Sequence, residues 1–507
     1  MRRMVWYVGI VVLLAACGAA TPAVPAATNA PVTRLVIAQT IDAQSMDPFL
    51  VNQVAGESVM QMMFDHLIER DFDGKLAPGL AESWSIVDDK TIEFKLRQGV
   101  TFHNGEAFDA DAVKFSVERM LNPDLKSSFR GNFKAIKEVQ VVNASTVRLL
   151  LSQTDAAILD NLSAQLAIVP PKYLQQVGDA EFTRKPIGTG PFKFVEWVKD
   201  DHVTLEANRD YWKGSFKGEP RVQSVVYRAI PEAATRIAEL KAGRADIIQD
   251  VPPDQVKDLQ AGFKVMAKDA PQEAFIFMVA DAPNTPLADK RVRQALNYGV
   301  DVDSIIKNVL QGYARHITSP IGPLTLGYDD SVQPYPYDLA RAKTLLSDAG
   351  YANGFDVVID ATSSDKSLTT EAVAGELAKL NVRATVRQLD LGTFNDNWSN
   401  KRTSPLVAAR WSGLFDPASA LNFFAKSDGL LTRYKNPDAD RLIAEAASTL
   451  DQAKRTQLYA QLNRLLHDDP LAIYLWNTQN LYGLNPRVNG WRAHPRSYIA
   501  ASGVSVQ

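Results

Sequence analysis

Short apolar runs with the two-residue period of a strand are interleaved in this chain with segments of helical period, in both orders and with no fixed repeat. Such interleaving restricts the fold to sheets covered by helices, an α/β class, because each apolar strand face and helix stripe must be buried against another element. Ile92-Glu93-Phe94-Lys95-Leu96-Arg97 alternates, as do Val147, Leu149 and Leu151, and both are expected to be strands. Phe275-Ile276-Phe277-Met278-Val279 is apolar throughout, which predicts a strand covered on both faces. Leu35-Val36-Ile37-Ala38 is a similar run and marks where folding should begin, near Arg34. Asp109 is placed to cap a helix burying Val113, Val117, Met120 and Leu121, and Asp338 one burying Leu339, Ala342, Leu346 and Ala349. Two further helices are expected after Asp440, with Leu442, Ile443, Ala446 and Leu450, and after Asp451, with Leu458, Leu462, Leu465 and Leu466. At 507 residues, 46 % of them apolar, the chain has material for two to four domains and a large core.

Arg2 and Arg3 precede thirteen residues of apolar character, Met4 to Ala16. A membrane-spanning helix needs ~20, so residues 1–16 read as a secretory signal peptide. The run ends in Leu14-Ala15-Ala16-Cys17, which resembles the bacterial lipobox, and Cys17 is the only cysteine of the chain. Cys17 is therefore expected to carry a lipid that anchors the protein to a membrane. Residues 17–33 follow as lipidated Cys and flexible stalk, because Gly18 to Val32 lacks apolar periodicity. A lone cysteine and six scattered histidines exclude a disulfide framework and a His/Cys metal site, and no cofactor is called for. A net charge of −3 with dispersed Lys and Arg excludes nucleic acid as a partner.

Enzyme signatures are missing where a strand–turn–helix would support them: there is no nucleophile elbow, zinc-binding helix or phosphate loop. Gly188-Thr189-Gly190-Pro191 is the one Gly-dense turn, yet Pro191 removes a backbone donor and no Lys-Ser/Thr follows. The alternative of a surface lipoprotein that hydrolyses glycans or peptides rests only on abundant Asp and Glu, which could supply a carboxylate pair.

Nine segments fit, in order, one family. They are Ser45-Met46-Asp47-Pro48, Leu80 to Trp84, Phe94 to Glu106, Asp109 to Val113, Pro186 to Phe192, Ala207 to Trp212, Ala238 to Asp246, Arg291 to Asn297 and Tyr434 to Asp440. The chain resembles, nearly end to end, the family-5 solute-binding proteins of ABC importers, the peptide and nickel group. That resemblance implies a two-lobed periplasmic-binding-protein-like fold (type II, cluster C) with an extra inserted domain. Domain I would comprise 34–66, 186–268 and 476–507, domain II 67–185, and domain III 269–475. An extended solute, oligopeptide, oligosaccharide or similar, would be held between domains I and III, the lobes closing on a hinge. The protein would be an extracytoplasmic monomer delivering that solute to ABC permease subunits, and not an enzyme.

The resemblance also implies ligand-binding positions: Asp42, Ala43 and Gln44 before the Ser-Met-Asp-Pro turn, and the loop Arg410-Trp411-Ser412-Gly413-Leu414 on domain III. Trp398 and the return segment Trp476-Asn477 join them. Trp411 offers a flat ring for stacking on solute. Most of the shared motifs are expected to be structural, with His103 a satisfied loop histidine and Asp47 a holder of backbone donors. Peptide-binding relatives often carry Trp-x-x-Asp, whose Asp pairs with the peptide ammonium; Leu414 stands there in this chain, and Asp416 could substitute only through a rearranged loop.

Overall fold

The computed structural model describes residues 33–362, 368–413 and 415–507, so the expected signal peptide, Cys17, the expected stalk through residue 32 and Leu414 lie outside the described residues. The interleaved pattern resolves into a mixed sheet of eleven strands. Ten run in the spatial order Val382–Leu389, Phe355–Thr362, Leu406–Ser412, Lys264–Met278, Ala472–Leu484, Ile247–Ile248, Arg34–Gln39, Ser224–Ala229, His202–Ala207 and Phe192–Val198. The eleventh, Ala314–His316, pairs with Ala472–Leu484. Parallel pairing occurs at two separate places: Arg34–Gln39 lies between Ser224–Ala229 and Ile247–Ile248, and Phe355–Thr362 lies between Val382–Leu389 and Leu406–Ser412. Between these halves run the two longest strands, Lys264–Met278 and Ala472–Leu484, paired antiparallel.

Among the described residues no apolar cluster spans both halves; the first half holds two, the smaller of them around Ile237, Leu240, Ile248 and Leu259. Leu35, Ile37, Phe94, Val225 and Tyr482 belong to the larger, which also takes in the C-terminal Ile499 and Val504. The cluster of the second half begins at Ala274 and ends at Trp476. The apolar run Phe275 to Val279 is buried at every position, as expected of a strand with cover on both faces. A separate antiparallel sheet of four strands, Ala81–Asp88, Thr91–Leu96, Thr146–Leu151 and Ile136–Asn143, buries Ile92, Phe94 and Leu96 beneath the helix Ala110–Leu121. Asp109 caps that helix by accepting from the Asp111 and Ala112 N–H groups at 3.0 and 3.1 Å. Asp338 likewise accepts from Arg341 N–H at 2.9 Å. The helix expected after Asp440 starts four residues earlier, over Pro437–Ala447, because Asn436 caps it and Pro437 opens its first turn. Leu450 therefore falls beyond its end, and the Asp440 carboxylate accepts from Ser427 N–H at 2.7 Å.

Several motif segments converge on one buried carboxylate, Asp65, just after the helix Val54–Met63. Lys217 Nζ and Tyr211 OH donate to Oδ1 at 2.8 and 3.0 Å, and Trp212 Nε1 and Thr189 Oγ1 to Oδ2 at 2.9 and 3.0 Å. Lys217 also reaches Glu69 at 3.0 Å; burial pushes the Glu69 carboxyl up, but Lys217 and His66 outweigh it and hold it at about 2. The Gly-dense turn packs directly on this helix end. A Cβ on Gly188 would lie 2.1 Å from the Met63 carbonyl oxygen, so only glycine fits. His103 is locked against the same turn, accepting from Gly188 N–H at 3.3 Å and donating to the Gly190 carbonyl at 3.0 Å, and burial pushes it down to about 4. Asp47 holds Phe49 N–H at 3.1 Å and pairs with buried Arg119.

Removing one member of such a buried network strands the others, at a cost of ~3–5 kcal/mol. Asp65→Ala is expected to lower stability by that amount in urea unfolding of the purified protein. A loss below ~1 kcal/mol would show that the motif residues are not held together through this carboxylate.

Candidate functional site

The two long strands do not pair continuously. Their register slips between Asp269 and Glu273, leaving Ala270, Pro271 and Gln272 as a bulge where one half-sheet gives way to the other. Asn477 bridges the break, its Nδ2 donating to the Ala270 carbonyl at 2.6 Å, to Glu273 Oε1 at 3.2 Å and to the Gln272 carbonyl at 3.3 Å. Glu273 lies opposite Trp411 in one ladder and Asn477 in the other. It is 3 % exposed, and burial pushes its carboxyl up to about 8. Gly322 covers it so closely that a Cβ there would lie 1.9 Å from Oε1.

Two cavities flank the crossing. The first, of about 150 Å³, is walled by Glu57 and Gln61 on the helix Val54–Met63, by Gln165, by Gln272 in the bulge, by Gly413 and by Arg496. Both lobes and the crossing thus contribute to one chamber. Its titratable groups are engaged: Arg496 meets Glu57 at 2.6 Å, and His66 Nδ1 lies 3.4 Å from Glu69, a residue behind the wall. Burial raises the Glu57 pKa, opposed by Arg496. The second cavity, of about 160 Å³, is lined by Arg410, Trp476, Thr478, Thr369 and Thr370 among others. Arg410 acts electrostatically on buried Asp250, whose carboxyl is raised by burial and drawn down by Arg236 and Arg410.

Away from the crossing the lobes meet again. Asp416 N–H donates to Asp160 Oδ2 at 2.9 Å, and Asp160 Oδ1 accepts from Arg70 Nε at 2.6 Å. The Asp416 carboxylate pairs with Arg455 and accepts from Ala418 N–H at 3.0 Å, while Arg455 Nη1 also donates to the Ala156 carbonyl at 3.0 Å. Burial holds the Asp416 carboxyl up at about 6 despite Arg455. The Asp416 carboxylate is thus committed to Arg455 within its own lobe, and its backbone N–H to the other.

The residues expected at the site are distributed unevenly. Gly413 lines the first cavity, its N–H donating to the Pro271 carbonyl at 2.8 Å, and Ser412 faces Gln272 in the ladder. Trp411 lies behind Gly413, whose Cβ would be 3.2 Å from Trp411 Nε1; its ring packs edge-on against Phe424 at 5.0 Å and against Phe423 at 5.6 Å. Arg410 and Trp476 share the second cavity, and Asn477 ties the crossing. Trp398 lies in the second core, donating to the Leu431 carbonyl at 2.9 Å with its ring on Phe277 and Phe394. Asp42 accepts from Trp197 Nε1 and Asp200 N–H, both at 2.8 Å, and Ala43 is buried. Gln44 is exposed and accepts from the N–H of Asn52, a residue of the first cavity's wall. Sequence reasoning missed Glu57, Gln61, Gln165, Gln272 and Arg496. A signal existed for two of them: in Val54-Ala55-Gly56-Glu57-Ser58-Val59-Met60-Gln61-Met62-Met63, Glu57 and Gln61 stand four apart on one face of a largely buried helix.

Residues 75–430 match the family model described as bacterial extracellular solute-binding proteins, family 5 Middle. The chain is 30 % identical over 477 residues to the glutathione-binding protein GsiB of Pectobacterium atrosepticum, with 91 % of each chain covered. It is also 30 % identical over 487 residues to heme-binding protein A of Haemophilus influenzae, covering 88 % of this chain and 87 % of that one. Among solved structures, the periplasmic binding protein DppA from Helicobacter pylori in complex with the peptide STSA superposes with a TM-score of 0.80 at 27 % identity, over 93 % of this chain and 98 % of that one.

The buried Glu273 generates a pH dependence of defined sign. Its folded pKa stands above the ordinary 4.5, so its protonated form favours the folded state. That contribution is complete below about pH 4.5 and is lost as the pH rises toward 8. Glu273→Gln keeps an acceptor for Asn477 and is expected to flatten the fall in melting temperature across that window. An unchanged pH profile would contradict the assignment.

Proposed function

The chain belongs to the bacterial extracellular solute-binding proteins of family 5, and we propose that it is the lipid-anchored member that captures an extended solute between domains I and III for its permease. As a member of that family it is an extracytoplasmic binding protein of an ABC importer rather than an enzyme. The reading of the site rests on the first cavity, whose wall is drawn from both lobes and from the strand crossing that joins them. A chamber assembled in this way exists only while the lobes are together, so solute and closure stabilise each other. The second-half cluster, Ala274 to Trp476, supports a domain at 269–475, while limits of 34–66, 186–268 and 476–507 for domain I, with 67–185 inserted, follow from the order of the family motifs. Relatives named for glutathione and heme, and a structural neighbour holding a peptide, indicate that this fold serves unlike solutes. An oligopeptide, an oligosaccharide or a similar extended molecule fits a site between two lobes. Engagement of Asp416 by Arg455 and by the opposite lobe supports a solute that is not held by an ammonium clamp.

Protein as purified, compared with the same protein unfolded and refolded to strip bound solute, is expected to show the smaller radius of gyration by small-angle scattering. Identical radii would contradict capture by closure. Asp160→Ala removes the carboxylate that joins Arg70 to Asp416 N–H, and is expected to shift the as-purified form toward the larger radius; no shift would show that the lobe contact does not hold the closed form. At the other end of the chain, Cys17→Ser is expected to release the protein from the membrane fraction. Retention of the variant there would refute the anchor.

A further inference from the structure

The capture reading leaves the solute's chemical class open, and the walls of the first cavity bear on it. The titratable groups that line the chamber are Glu57, His66 and Arg496. Arg496 is held by Glu57 at 2.6 Å, with the Ser163 and Ala164 carbonyls each at 3.5 Å, and His66 is held by Glu69, itself fixed by Lys217. A solute carrying a carboxylate or an ammonium would therefore have to break a buried pair and strand the displaced partner. Glu57 Oε1 makes no well-directed hydrogen bond but lies 2.6 Å from Arg496 Nη2, so its charge is met, whereas the neutral Gln61 has no such counterpart. Gln61 lines the same chamber at 3 % exposure, and its Oε1 finds no hydrogen-bond partner among the described residues. Trp411 Nε1, just behind Gly413, is likewise without a partner among them. Trp411 is not part of the chamber wall, so Gln61 carries the argument: buried polar atoms are seldom left unsatisfied, and an unpaired acceptor in the wall suits a hydroxyl or amide donor of a bound molecule.

We propose that the chamber selects an uncharged solute rich in hydroxyl or amide groups, with Gln61 as the acceptor that orients it. The proposal rests on the capture reading and adds the solute's class. Neutral hydrogen bonding discriminates through unsatisfied partners: a molecule lacking the matching donor leaves Gln61 buried and unpaired.

The test uses full-length protein stripped of solute, offered matched pairs: maltotriose against its aldonic acid, and N-acetyl-trialanine amide against trialanine. Calorimetric titration is expected to show, in whichever pair binds, the neutral member at least about tenfold tighter, with little change between low and high salt. A charged member binding more tightly, or affinity falling steeply with salt as ion pairing requires, would overturn the proposal. The molecule released when the as-purified protein is unfolded is expected to carry no ionisable group by mass and electrophoresis. A released carboxylate or amine would overturn the neutral class while leaving capture intact, whereas no released molecule and no compaction with any probe would instead overturn capture. Gln61→Leu, provided its circular dichroism matches the parent, is expected to weaken the binding probe at least about tenfold; unchanged affinity would remove Gln61 from the site.

Discussion

Two antiparallel strands, Lys264–Met278 and Ala472–Leu484, connect the parallel halves of the main sheet, and the arrangement of everything else follows from how they cross. A continuous ladder would weld the halves into one stiff sheet. The slip between Asp269 and Glu273 interrupts it, and Asn477 supplies three side-chain hydrogen bonds where ladder bonds are missing. The strands remain joined while the backbone at 270–272 is released from regular pairing. Because no apolar cluster among the described residues spans both halves, a rotation at this place disturbs little buried surface. The chamber at the crossing takes part of its wall from the bulge itself, so a change of angle there reshapes the site directly.

The distribution of charge is consistent with such a hinge. Ionic contacts inside the first lobe are dense and buried, as at Asp65, where four side-chain donors meet. Contact between the lobes away from the crossing runs instead through a short chain, Arg70 to Asp160 to Asp416 to Arg455. Buried ion pairs contribute modest net stability but are costly to break singly. Here each pair lies within one lobe, and the bonds that cross, Asp416 N–H to Asp160 and Arg455 Nη1 to the Ala156 carbonyl among them, are few enough to favour a discrete joined state without making it irreversible.

Much of the scaffold was legible in the sequence because the signals are local. Alternation marked the strand Thr91–Leu96, an unbroken apolar run marked the buried part of Lys264–Met278, and a side-chain cap marked the start of Ala110–Leu121. The helix Pro437–Ala447 begins before Asp440 because the Asn436-Pro437 pair starts it, and Asp440 falls inside its first turn. Motifs shared with the family proved informative about packing. Thr189, Tyr211 and Trp212 serve Asp65, and Asn297 secures the strand Ala472–Leu484 by donating to the Ala472 carbonyl and accepting from Tyr474 N–H, both at 3.0 Å. The chamber was far less legible. Its wall gathers residues as distant as Glu57, Gln165, Gln272, Gly413 and Arg496, which no spacing rule links, since only the crossing brings them together. Aromatic character does not say which side of a core a ring takes: Trp398 packs in the second core, and the partly exposed Trp411 lies against Phe424 with its Nε1 buried and unpaired among the described residues.

The central claim is that the halves rotate about this crossing when solute enters. The distance between spin labels on the two halves measures it directly. Val195, on an edge strand of the first, and Leu391, at the start of a helix of the second, are both exposed, and replacing the lone native cysteine through Cys17→Ser leaves Val195→Cys and Leu391→Cys as the only labelled sites. Pulsed electron–electron double resonance on stripped protein, before and after adding back the solute released on unfolding, should show the distance distribution move to a new, narrower position. A distribution that stays in place while the solute binds would mean that this protein holds its cargo in a rigid cleft, and the hinge would have to be abandoned.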